Sequence, residues 1–523
     1  MENMDVQASI NSFSHLPLQE QFEQVCMLAL KQESIINTLE TKFLEQTAQI
    51  EALTQTVQEL SRQIYGQKSE RRKKNSGEPV NTALPKQNNR GKAPTERKPS
   101  HTNATGLRFD DSTPRITIQV KAPEGTDLKT IRVDRIYRLA QRPAAVVILE
   151  YEIPVVKQKE TGQLVPLWQP NPLFEESYAD VSCIAGLLID KCLYHLPLYR
   201  QHQRLTHAGV DIARSTLTNW FGRAADLLKP LYTALQDSIL SSDRLQMDET
   251  PIKASRKIKG KMHAGYYWPM LGDQGEIVFV FSNTRAQSHI EKTLAQKFEG
   301  ILLTDGYGAY QAYCQGRDTV IAANCIVHWR RLFDKIKDDF PDETQFALDS
   351  IGKLYSNESI IRQRKLVSQK KLEYRIEHSK PIVDALFSWC DQQLLSQKLT
   401  PKSKLRLAIQ YGTKREAALK VFLEDPDLPL DTNDIERQIR TVAVGKKNWM
   451  FAWTEAGAEH LGIIYSLIAS CRMQGVDPYT YLVDVLLRVG DHPAKDVEQL
   501  IPRHWKQYFE DNPRRSDLWG LGQ

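Results

Sequence analysis

Between residues 243 and 330 the chain alternates short apolar runs of strand length with one amphipathic stretch of helical period. This alternation restricts the fold more than any other feature. The strand-like runs cover residues 244–247, 263–271, 277–282, 300–304 and 319–327, and the helical stretch covers residues 287–298. Such runs predict strands and a helix in one α/β unit. At 523 residues the chain exceeds one ordinary core, so we expect a multidomain α/β protein.

Three acidic residues stand at informative places in this pattern. Asp248 and Asp305 each follow a predicted strand, and Glu436 lies in residues 433–440, where apolar and basic residues recur at helical spacing. Three strands in succession, a helix and further strands is the order of the ribonuclease H-like fold, which places the first two acids on neighbouring strands. Carboxylates suit hard divalent cations, and two such ions stabilise the attacking and leaving oxygens of a phosphodiester. We predict that Asp248, Asp305 and Glu436 are catalytic metal ligands.

Each acid taken alone has an ordinary alternative. An aspartate after a strand is commonly a turn or helix-cap residue. Asp305 precedes Gly306 and suits a plain turn, and Glu436 suits a surface ion pair with Arg440 four residues later. It is the order of the three acids on one strand pattern that favours a shared site.

The predicted catalytic core is discontinuous. Residues 241–330 and 426–470 form it, and residues 331–425, which are helical and charged with no strand candidate, are predicted to be a helical insertion between the second and third acids. Residues 471–523 are predicted to be a C-terminal helical region.

The N-terminal region carries a heptad pattern in residues 33–65. Apolar residues recur every seven positions with a companion leucine three residues on, and Gln46 is the polar exception; the first set is Ile36, Phe43, Ile50, Val57 and Ile64, and the second Leu39, Leu53 and Leu60. This pattern predicts a coiled coil over residues 20–65 and a homo-oligomer. An amphipathic helix packed on its own domain is the alternative.

Residues 66–106 change sharply in composition. They contain ten basic and three acidic residues, several prolines and almost no large apolar residue. This composition predicts a disordered basic linker, either a solvated spacer or a segment that contacts phosphates without regard to sequence.

Two further units are predicted before the catalytic core. Residues 107–178 hold short alternating runs and are predicted to be a small β-rich module. Residues 179–240 hold three candidate helices at 179–193, 198–205 and 215–228, with Gly209 in a connection and Ser215 as the N-cap of the third. This spacing suits a helix-turn-helix or an ordinary bundle. In the first case the DNA-binding residues are Arg214, Ser215, Thr216 and Asn219.

Basic and aromatic residues also flank the acids. His328, Arg330 and Arg331 follow the last strand, where they suit either a phosphate-binding group or the solvated face of a helix. Residues 445–451 follow the third acid, and their lysines beside aromatics suit backbone contact with base stacking, or else a core edge. The candidates there are Lys446, Lys447 and Trp449.

Composition excludes several classes of protein. Hydrophobic residues make up 41% and charged residues 25%, and no stretch approaches the roughly 20 apolar residues of a membrane span. The seven cysteines include no Cys-x-x-Cys pair, which argues against a zinc ribbon. Scattered single cysteines suit a reducing cytoplasm. We expect a cytoplasmic protein without a membrane partner. A net charge of +5 is too small to establish DNA binding by itself.

From about residue 179 the chain resembles transposases of the insertion-sequence 66 type, the TnpC-like proteins. The resemblance rests on blocks that occur in one order: Lys191-Cys-Leu-Tyr-His-Leu-Pro-Leu-Tyr-Arg200, Arg214-Ser-Thr-Leu-Thr-Asn-Trp220, Met247-Asp-Glu-Thr-Pro251, Thr304-Asp-Gly-Tyr307, Cys325-Ile-Val-His-Trp-Arg-Arg331, Asp431-Thr-Asn-Asp-Ile-Glu-Arg437, Gly445-Lys-Lys-Asn-Trp449, Ile464-Tyr-Ser-Leu-Ile-Ala469 and Gly475-Val-Asp-Pro-Tyr479. The resemblance implies a DDE recombinase with these three acids. It also implies Mg²⁺ as two ions, with Mn²⁺ as a substitute, and an N-terminal zipper-like helix. Arg437 joins the DNA-binding candidates, and the resemblance implies a bacterial, nucleoid-associated protein.

One departure from the family concerns zinc. Its members often carry a cysteine zinc finger before the helix-turn-helix, whereas residues 107–178 contain no cysteine, so no zinc is expected. Small accessory proteins encoded beside some members are further candidate partners.

The expected function is a transposase that cuts the ends of its own element and joins the freed 3′ hydroxyls to target DNA. Two alternatives stand beside it. A ribonuclease H-like nuclease would only hydrolyse, and a transposase-derived repressor would bind DNA without cutting it.

Overall fold

The computed structural model describes residues 101–102 and 107–520, except 110, 112, 121–127, 143–144, 160, 162, 166, 168, 259–260, 295–296 and 397–398, with positions 17, 20 and 27 besides. The chain divides into the units Met1–Ala93 and Pro94–Gln523, and every element below lies in the second. The predicted coiled coil and most of the predicted linker thus lie outside the described residues.

Two small sheets form in the first part of this unit. In chain order their strands are β1 (His101–Thr102), β2 (Arg108–Phe109), β3 (Arg115–Gln119), β4 (Leu128–Arg142), β5 (Ala145–Gln158), β6 (Leu164–Val165) and β7 (Val210–Asp211). β4 and β5 form a long antiparallel hairpin that β3 and β6 extend, while β2 lies between β1 and β7. β1 falls inside the segment predicted to be a linker. That prediction is wrong at its C-terminal end, because β1 has strand partners in β2.

Three helices follow the long hairpin: α1 (Val181–Cys192), α2 (Leu198–His207) and α3 (Arg214–Leu240). Asp180 caps α1 by accepting a hydrogen bond from the Ser182 backbone N–H at 2.8 Å. α3 begins at Arg214 with Ala213 as its N-cap, so the expected cap at Ser215 is wrong; Ser215 is already inside the first turn. The connection between α2 and α3 contains Gly209, at φ +82°, and strand β7.

A six-stranded mixed sheet occupies the predicted catalytic core. Its strands are β8 (Arg244–Met247), β9 (Thr250–Ile258), β10 (Lys261–Gly272), β11 (Ile277–Ser282), β12 (Gly300–Thr304) and β13 (Val320–Asn324), with α4 (Gln287–Leu294) and α5 (Gly308–Cys314) between them. The order is β11–β10–β8–β12–β13, and β9 pairs with β10 only. β8, β12 and β13 are parallel, whereas β10 is antiparallel to β8, β9 and β11.

β9 was not predicted from the sequence. Proline at its second position and lysine at its fourth indicate a turn, yet a proline is tolerated on a strand that pairs on one side. Pro251 meets this condition because β9 pairs with β10 alone. The other predicted strands are present, although β13 ends at Asn324 and residues from Ile326 onward are helical.

The described elements of the predicted helical insertion are all helical, with short turns between them. The insertion comprises α6 (Ile326–Asp334), which begins just before it, α7 (Pro341–Gln363), α8 (Ser368–Tyr374), a π-helical turn (Arg375–Ser379), α9 (Lys380–Leu395), α10 (Lys404–Thr413), α11 (Glu416–Lys420) and a 3₁₀ turn (Val421–Leu423). Within it, the fully buried Arg375 guanidinium donates to both carboxylate oxygens of Glu358, at 2.8 and 3.0 Å.

The last part of the chain returns to the sheet. It comprises α12 (Asn433–Trp449), α13 (Glu455–Gln474), α14 (Pro478–Arg488), a 3₁₀ stretch (Ala494–Leu500), α15 (Pro502–Tyr508) and α16 (Asp517–Gly520). Because β11 is an edge strand, its outer N–H groups need partners. α13 supplies them: Ser470 and Ser466 accept hydrogen bonds from the backbone N–H groups of Ile277 and Phe279, at 2.9 and 2.8 Å.

Strand β12 separates two hydrophobic clusters. Leu302 belongs to a cluster that runs from Leu107 through α1, α3 and the sheet to α13 and α15. Ile301 and Leu303 point to the other face, into a cluster built by the insertion. A strand buried on both faces accounts for the unbroken apolar run seen in the sequence. The predicted domain limits stay predictions, since one cluster joins several of the predicted units.

Among the described residues, none of the helices combines the length and apolarity that crossing a membrane requires.

Candidate metal-binding site

The register of the sheet brings Asp248 and Asp305 together. β12 pairs with β8 so that Leu303 lies opposite Gln246. Asp305 and Asp248 each follow two residues later, directly after their own strand. Neighbouring strands lie about 4.8 Å apart. The two acids therefore leave the ends of adjacent parallel strands at the same level, as the sequence predicted.

The ladder between β8 and β10 is interrupted at the first acid. Met247 pairs with Met270 and Thr250 pairs with Tyr267, so the register is the same on both sides of the break. Asp248 therefore lies opposite Pro269, which has no backbone N–H to donate to the ladder. The break frees the backbone of Asp248 and Glu249, and the Glu249 N–H instead donates to the Asp248 carboxylate at 2.7 Å.

Glu249 is a further acid in this cluster, and the sequence pattern did not single it out as a ligand. One carboxylate oxygen each from Asp248, Glu249 and Asp305 lie within 4.8 Å of one another. Glu249 is also ion-paired with Arg285 and accepts a hydrogen bond from the Tyr310 hydroxyl at 3.1 Å. Its place directly after Asp248 was the one signal, but strand alternation would have sent its side chain to the opposite face. The break between β8 and β9 removes that alternation.

Glu436 lies in the first turn of α12, where its charge contributes to the raised pKa of Asp248, but it is outside the group of Asp248, Glu249 and Asp305 whose oxygens lie within 4.8 Å of one another. Its Oε2 accepts a hydrogen bond from Arg331 at 2.8 Å, and its Oε1 is 3.8 Å from Nε2 of His328. Oε1 is buried and has no hydrogen-bond partner in the described part of the chain. The carboxylate is thus held on one side by Arg331 and presents an unsatisfied oxygen on the other.

Burial and neighbouring negative charges both disfavour the ionised form of Asp248. Burial raises the pKa of Asp248 to about 7, and the charges of Glu249, Asp305 and Glu436 contribute to the rise, against one backbone hydrogen bond that lowers it. Burial also raises the pKa of Glu249. Burial lowers the pKa of His328, which keeps this ring neutral near pH 7 and leaves Arg331 as the cation beside Glu436.

The donor set fits a hard divalent cation. The cluster consists of carboxylate oxygens only, which Mg²⁺ and Mn²⁺ prefer. Like charges held this close are unfavourable without a counterion, as the raised pKa of Asp248 shows. Glu436 is not one of the three clustered acids, but its buried Oε1 is a further carboxylate oxygen without a hydrogen bond among the described residues.

The insertion contacts the turn that carries Asp305. The Tyr411 hydroxyl on α10 donates to the Asp305 carbonyl at 2.5 Å, and the Arg415 guanidinium donates to the Gly306 carbonyl at 3.0 Å. Gly306 has φ +85°, and a Cβ there would come within 2.8 Å of both side chains. A second tyrosine of the insertion, Tyr355, donates to Asp431 at 2.7 Å, just before α12.

The predicted contacts on α3 lie at the surface in part. Arg214, Ser215 and Asn219 are exposed, whereas Thr216 is half-buried and its neighbour Leu217 is buried. The Arg214 guanidinium lies 5.5 Å from the ring centroid of Tyr199 on α2. The start of α3, which precedes the acid cluster in the sequence, therefore presents polar side chains to solvent.

The predicted contacts near the acids fall into two groups. His328 and Arg331 face Glu436, and Arg330 lies half-buried beside them on α6. On α12, Arg437 reaches Asp434 at 3.3 Å with a largely exposed side chain, and Lys447 lies near the C-terminal end of the helix.

Two residues near the end of α12 face inward. Lys446 donates to the Pro251 carbonyl at 2.5 Å, and only 8% of Trp449 is exposed. Trp449 packs against Gly445 under the Lys191 ammonium, which agrees with the core-edge alternative.

The fold and this site together define an α/β chain with a cluster of carboxylates at the ends of two central strands of a mixed sheet. Comparison with known families then gives a specific answer. The model of the transposase IS66 family matches residues 176–460, and that of the IS66 C-terminal element matches residues 466–503. The chain belongs to the IS66 transposase family, as its sequence motifs indicated.

Three similar proteins come from Sinorhizobium fredii (strain NBRC 101917 / NGR234). Uncharacterized protein y4hP is 29% identical over 348 residues, 62% of each chain. Uncharacterized protein y4qI is 29% identical over 400 residues, 73% of each chain. Uncharacterized protein y4jD is 30% identical over 355 residues, 64% of this chain and 68% of its own. The match to y4hP spans less than two thirds of that protein.

Proposed function

We propose that this protein is a DNA transposase that cuts the ends of its own insertion sequence and joins the freed 3′ hydroxyls to target DNA. Asp248, Asp305 and Glu436 are the metal ligands in this proposal, and the cations are two Mg²⁺ ions, for which Mn²⁺ substitutes. Divalent cations bound there supply Lewis-acid stabilisation of the attacking and leaving oxygens of the phosphodiester.

The observation that carries the proposal is the register match of Asp248 and Asp305, and the charge of Glu436 on α12 also acts on Asp248. The sheet order β11–β10–β8–β12–β13, with β8, β12 and β13 parallel, supports a ribonuclease H-like core. In this assignment the acids follow β8 and β12, which are neighbours at the centre of the sheet. Membership of the transposase family supports the same conclusion.

The chain's own residues have distinct parts in this proposal. The three carboxylates fix the cations, and Arg331 holds Glu436 in place through its 2.8 Å hydrogen bond. Cationic side chains along α12 offer contacts to the DNA phosphates. No serine or tyrosine side chain attacks the phosphodiester in this proposal, so no covalent protein–DNA intermediate forms.

Isosteric substitution of the acids tests the proposal. Asp248→Asn, Asp305→Asn and Glu436→Gln each remove one anionic ligand while preserving side-chain volume, so we expect cleavage and joining to fall below detection. Binding of the same DNA should stay within about twofold of the wild type, because phosphate contacts come from basic residues elsewhere. Gel assays on DNA that carries the terminal repeats of the element measure cleavage, joining and binding on one substrate.

Asp434→Asn is the matched control. Asp434 lies in the same first turn of α12 as Glu436 but is exposed and paired with Arg437. We expect it to keep full activity. If Glu436→Gln retained activity and Asp434→Asn lost it, the third ligand would be Asp434. A wild type that cleaves but never joins would be a hydrolytic nuclease, and one that binds without cleaving would be a repressor.

A further inference from the structure

One side of α12 forms a track that leads away from the acids. Arg437, Arg440, Val444 and Lys447 recur at intervals of three or four residues, which places them on one side of the helix. Three of the four are cationic, and the fourth, Val444, is 40% exposed. Lys446 ties α12 to β9 through the Pro251 carbonyl.

This track ends at two large apolar side chains that face solvent. Met450 is 67% exposed and Trp453 is 61% exposed, while Trp449 between them and the track is buried. The segment is held in place: the Met450 N–H donates to the Lys446 carbonyl at 2.9 Å, and the Ala452 N–H donates to the Lys253 carbonyl at 2.9 Å. Trp453 rests edge-on against Phe451, with ring centroids 5.1 Å apart.

The backbone at Met450 is strained. Its φ is +63°, in the region that favours glycine, and a non-glycine residue there is costly. A glycine would relieve the strain at this φ, because it has no Cβ. The strained position instead projects an exposed apolar side chain into solvent, which folding alone does not explain.

Two independent lengths place this apolar end relative to the acids. Glu436 and Met450 lie near opposite ends of α12, and their separation of about 14 residues corresponds to about 21 Å at 1.5 Å per residue. Asp248 and Lys253, which bonds Ala452, are about five residues apart along the strand direction, or about 17 Å. Along stacked duplex DNA, at about 3.4 Å per nucleotide, both lengths correspond to about five or six nucleotides.

We infer that Met450 and Trp453 contact unstacked nucleobases of the DNA about five or six nucleotides from the scissile phosphate. DNA fits this surface because a cationic track joins it to the carboxylates. Methionine acts in DNA-binding proteins as a wedge between base steps, and an exposed tryptophan offers a face on which a displaced base stacks. This inference rests on the proposed function, because the nucleotides are counted from the scissile phosphate.

Abasic sites scanned along both strands test the contact. The probe is DNA that carries the terminal repeat, titrated with the full-length chain in the absence of divalent cations. For the wild type we expect affinity to fall about fivefold to a hundredfold when the base is missing at one or two positions in the stated window, as loss of one stacked base implies. Trp453→Ala should lose a similar factor on intact DNA and become insensitive to abasic sites at those positions.

Three controls make the result specific. Trp453→Phe should retain most of the affinity, because an aromatic face remains. Tyr508→Ala removes another aromatic side chain that is 61% exposed, on α15, and should bind like the wild type. Met450→Gly should fold at least as stably as the wild type, since it relieves the strained φ, yet bind intact DNA less tightly.

Several outcomes overturn the inference. One is that Trp453→Ala binds intact DNA as tightly as the wild type does. Another is that Trp453→Ala lowers the affinity by the same factor wherever the abasic site lies. A lower mass of Trp453→Ala in light scattering would assign the surface to contact between chains. If the wild type cuts and joins DNA while Trp453→Ala binds normally, only this inference fails. If the wild type neither binds nor cuts DNA, the proposed function fails with it.

Discussion

Asp248 is the residue at which the energetics of the site are most visible. The Asp248 carboxyl loses hydration through burial and is repelled by three other acids, and its pKa therefore rises to about 7. Folding thus places a group with an ordinary pKa of 3.8 where its charged form is disfavoured. A bound divalent cation reverses this effect, because it replaces the proton as the counterion.

This shift predicts the pH dependence of stability in cation-free protein. The native state keeps a proton on Asp248 that the unfolded state has released, so the stabilising contribution is complete below the unfolded pKa and is lost as pH rises through about 7. The free energy of unfolding of the wild type should therefore fall between about pH 4 and pH 7 and level off above that. Asp248→Asn, which cannot ionise, should fall less over that interval, and Asp434→Asn should follow the wild type. Urea titrations at each pH measure this, and equal slopes for Asp248→Asn and the wild type would exclude Asp248 as the cause.

Single residues show why sequence could predict part of the site and not the rest. Asp248, Asp305 and Glu436 follow from strand order and motif, because register alone brings the first two together. The proximity of Glu249 depends on a two-residue break opposite Pro269, which strand alternation does not reveal. Likewise, whether Trp449 or Trp453 faces solvent depends on where α12 ends, and helix ends are set by tertiary contacts.

At the scale of elements, the insertion acts as a brace for the acids. α10 and the residues just after it bind the backbone on both sides of the Asp305–Gly306 turn, and α7 binds Asp431 ahead of the helix that carries Glu436. Its hydrophobic cluster includes Ile301 and Leu303 of β12, so the insertion also packs on the strand that ends just before Asp305. Sequence predicted a helical insertion at this place but not its contacts, since long-range pairing of this kind leaves no periodic pattern.

Removing one hydroxyl from this brace should weaken cation binding without unfolding the chain. Tyr411→Phe deletes the donor to the Asp305 carbonyl, and loss of a supporting contact of this kind typically costs about 10- to 100-fold in metal affinity or activity. We expect a higher Mn²⁺ concentration for half-maximal cleavage, with the maximal rate partly restored at saturating Mn²⁺. Tyr374→Phe makes the same change on α8, where the ring packs against His378, and should leave the Mn²⁺ requirement unchanged. Equal Mn²⁺ requirements for Tyr411→Phe and the wild type would show that the turn needs no brace.

For the whole molecule, the N-terminal heptads predict how chains associate, and those residues lie outside the described part of the structure. Deletion of residues 1–65 should convert an oligomer into a smaller species, because the apolar seam lies there. Replacing Ile50 and Leu53 by Asp should do the same by placing charge in that seam. Light scattering gives the mass directly. An unchanged mass for both variants would favour a helix packed on its own domain.

At the scale of the whole chain, the predicted DNA contacts are of two kinds: one kind would read sequence and the other would bind phosphates only. Arg214 and Asn219 are exposed at the start of α3, where a recognition helix meets base edges, so their replacement by Ala should reduce the preference for element ends over random DNA. Arg71, Arg72, Lys73 and Lys74 belong to the basic segment predicted from composition. Neutralising them should weaken binding to all sequences alike and flatten its salt dependence, because fewer counterions are released. Titrations of both DNAs at several salt concentrations distinguish the two effects, and the assignment would be reversed if the linker variant lost end preference while the α3 variant kept it.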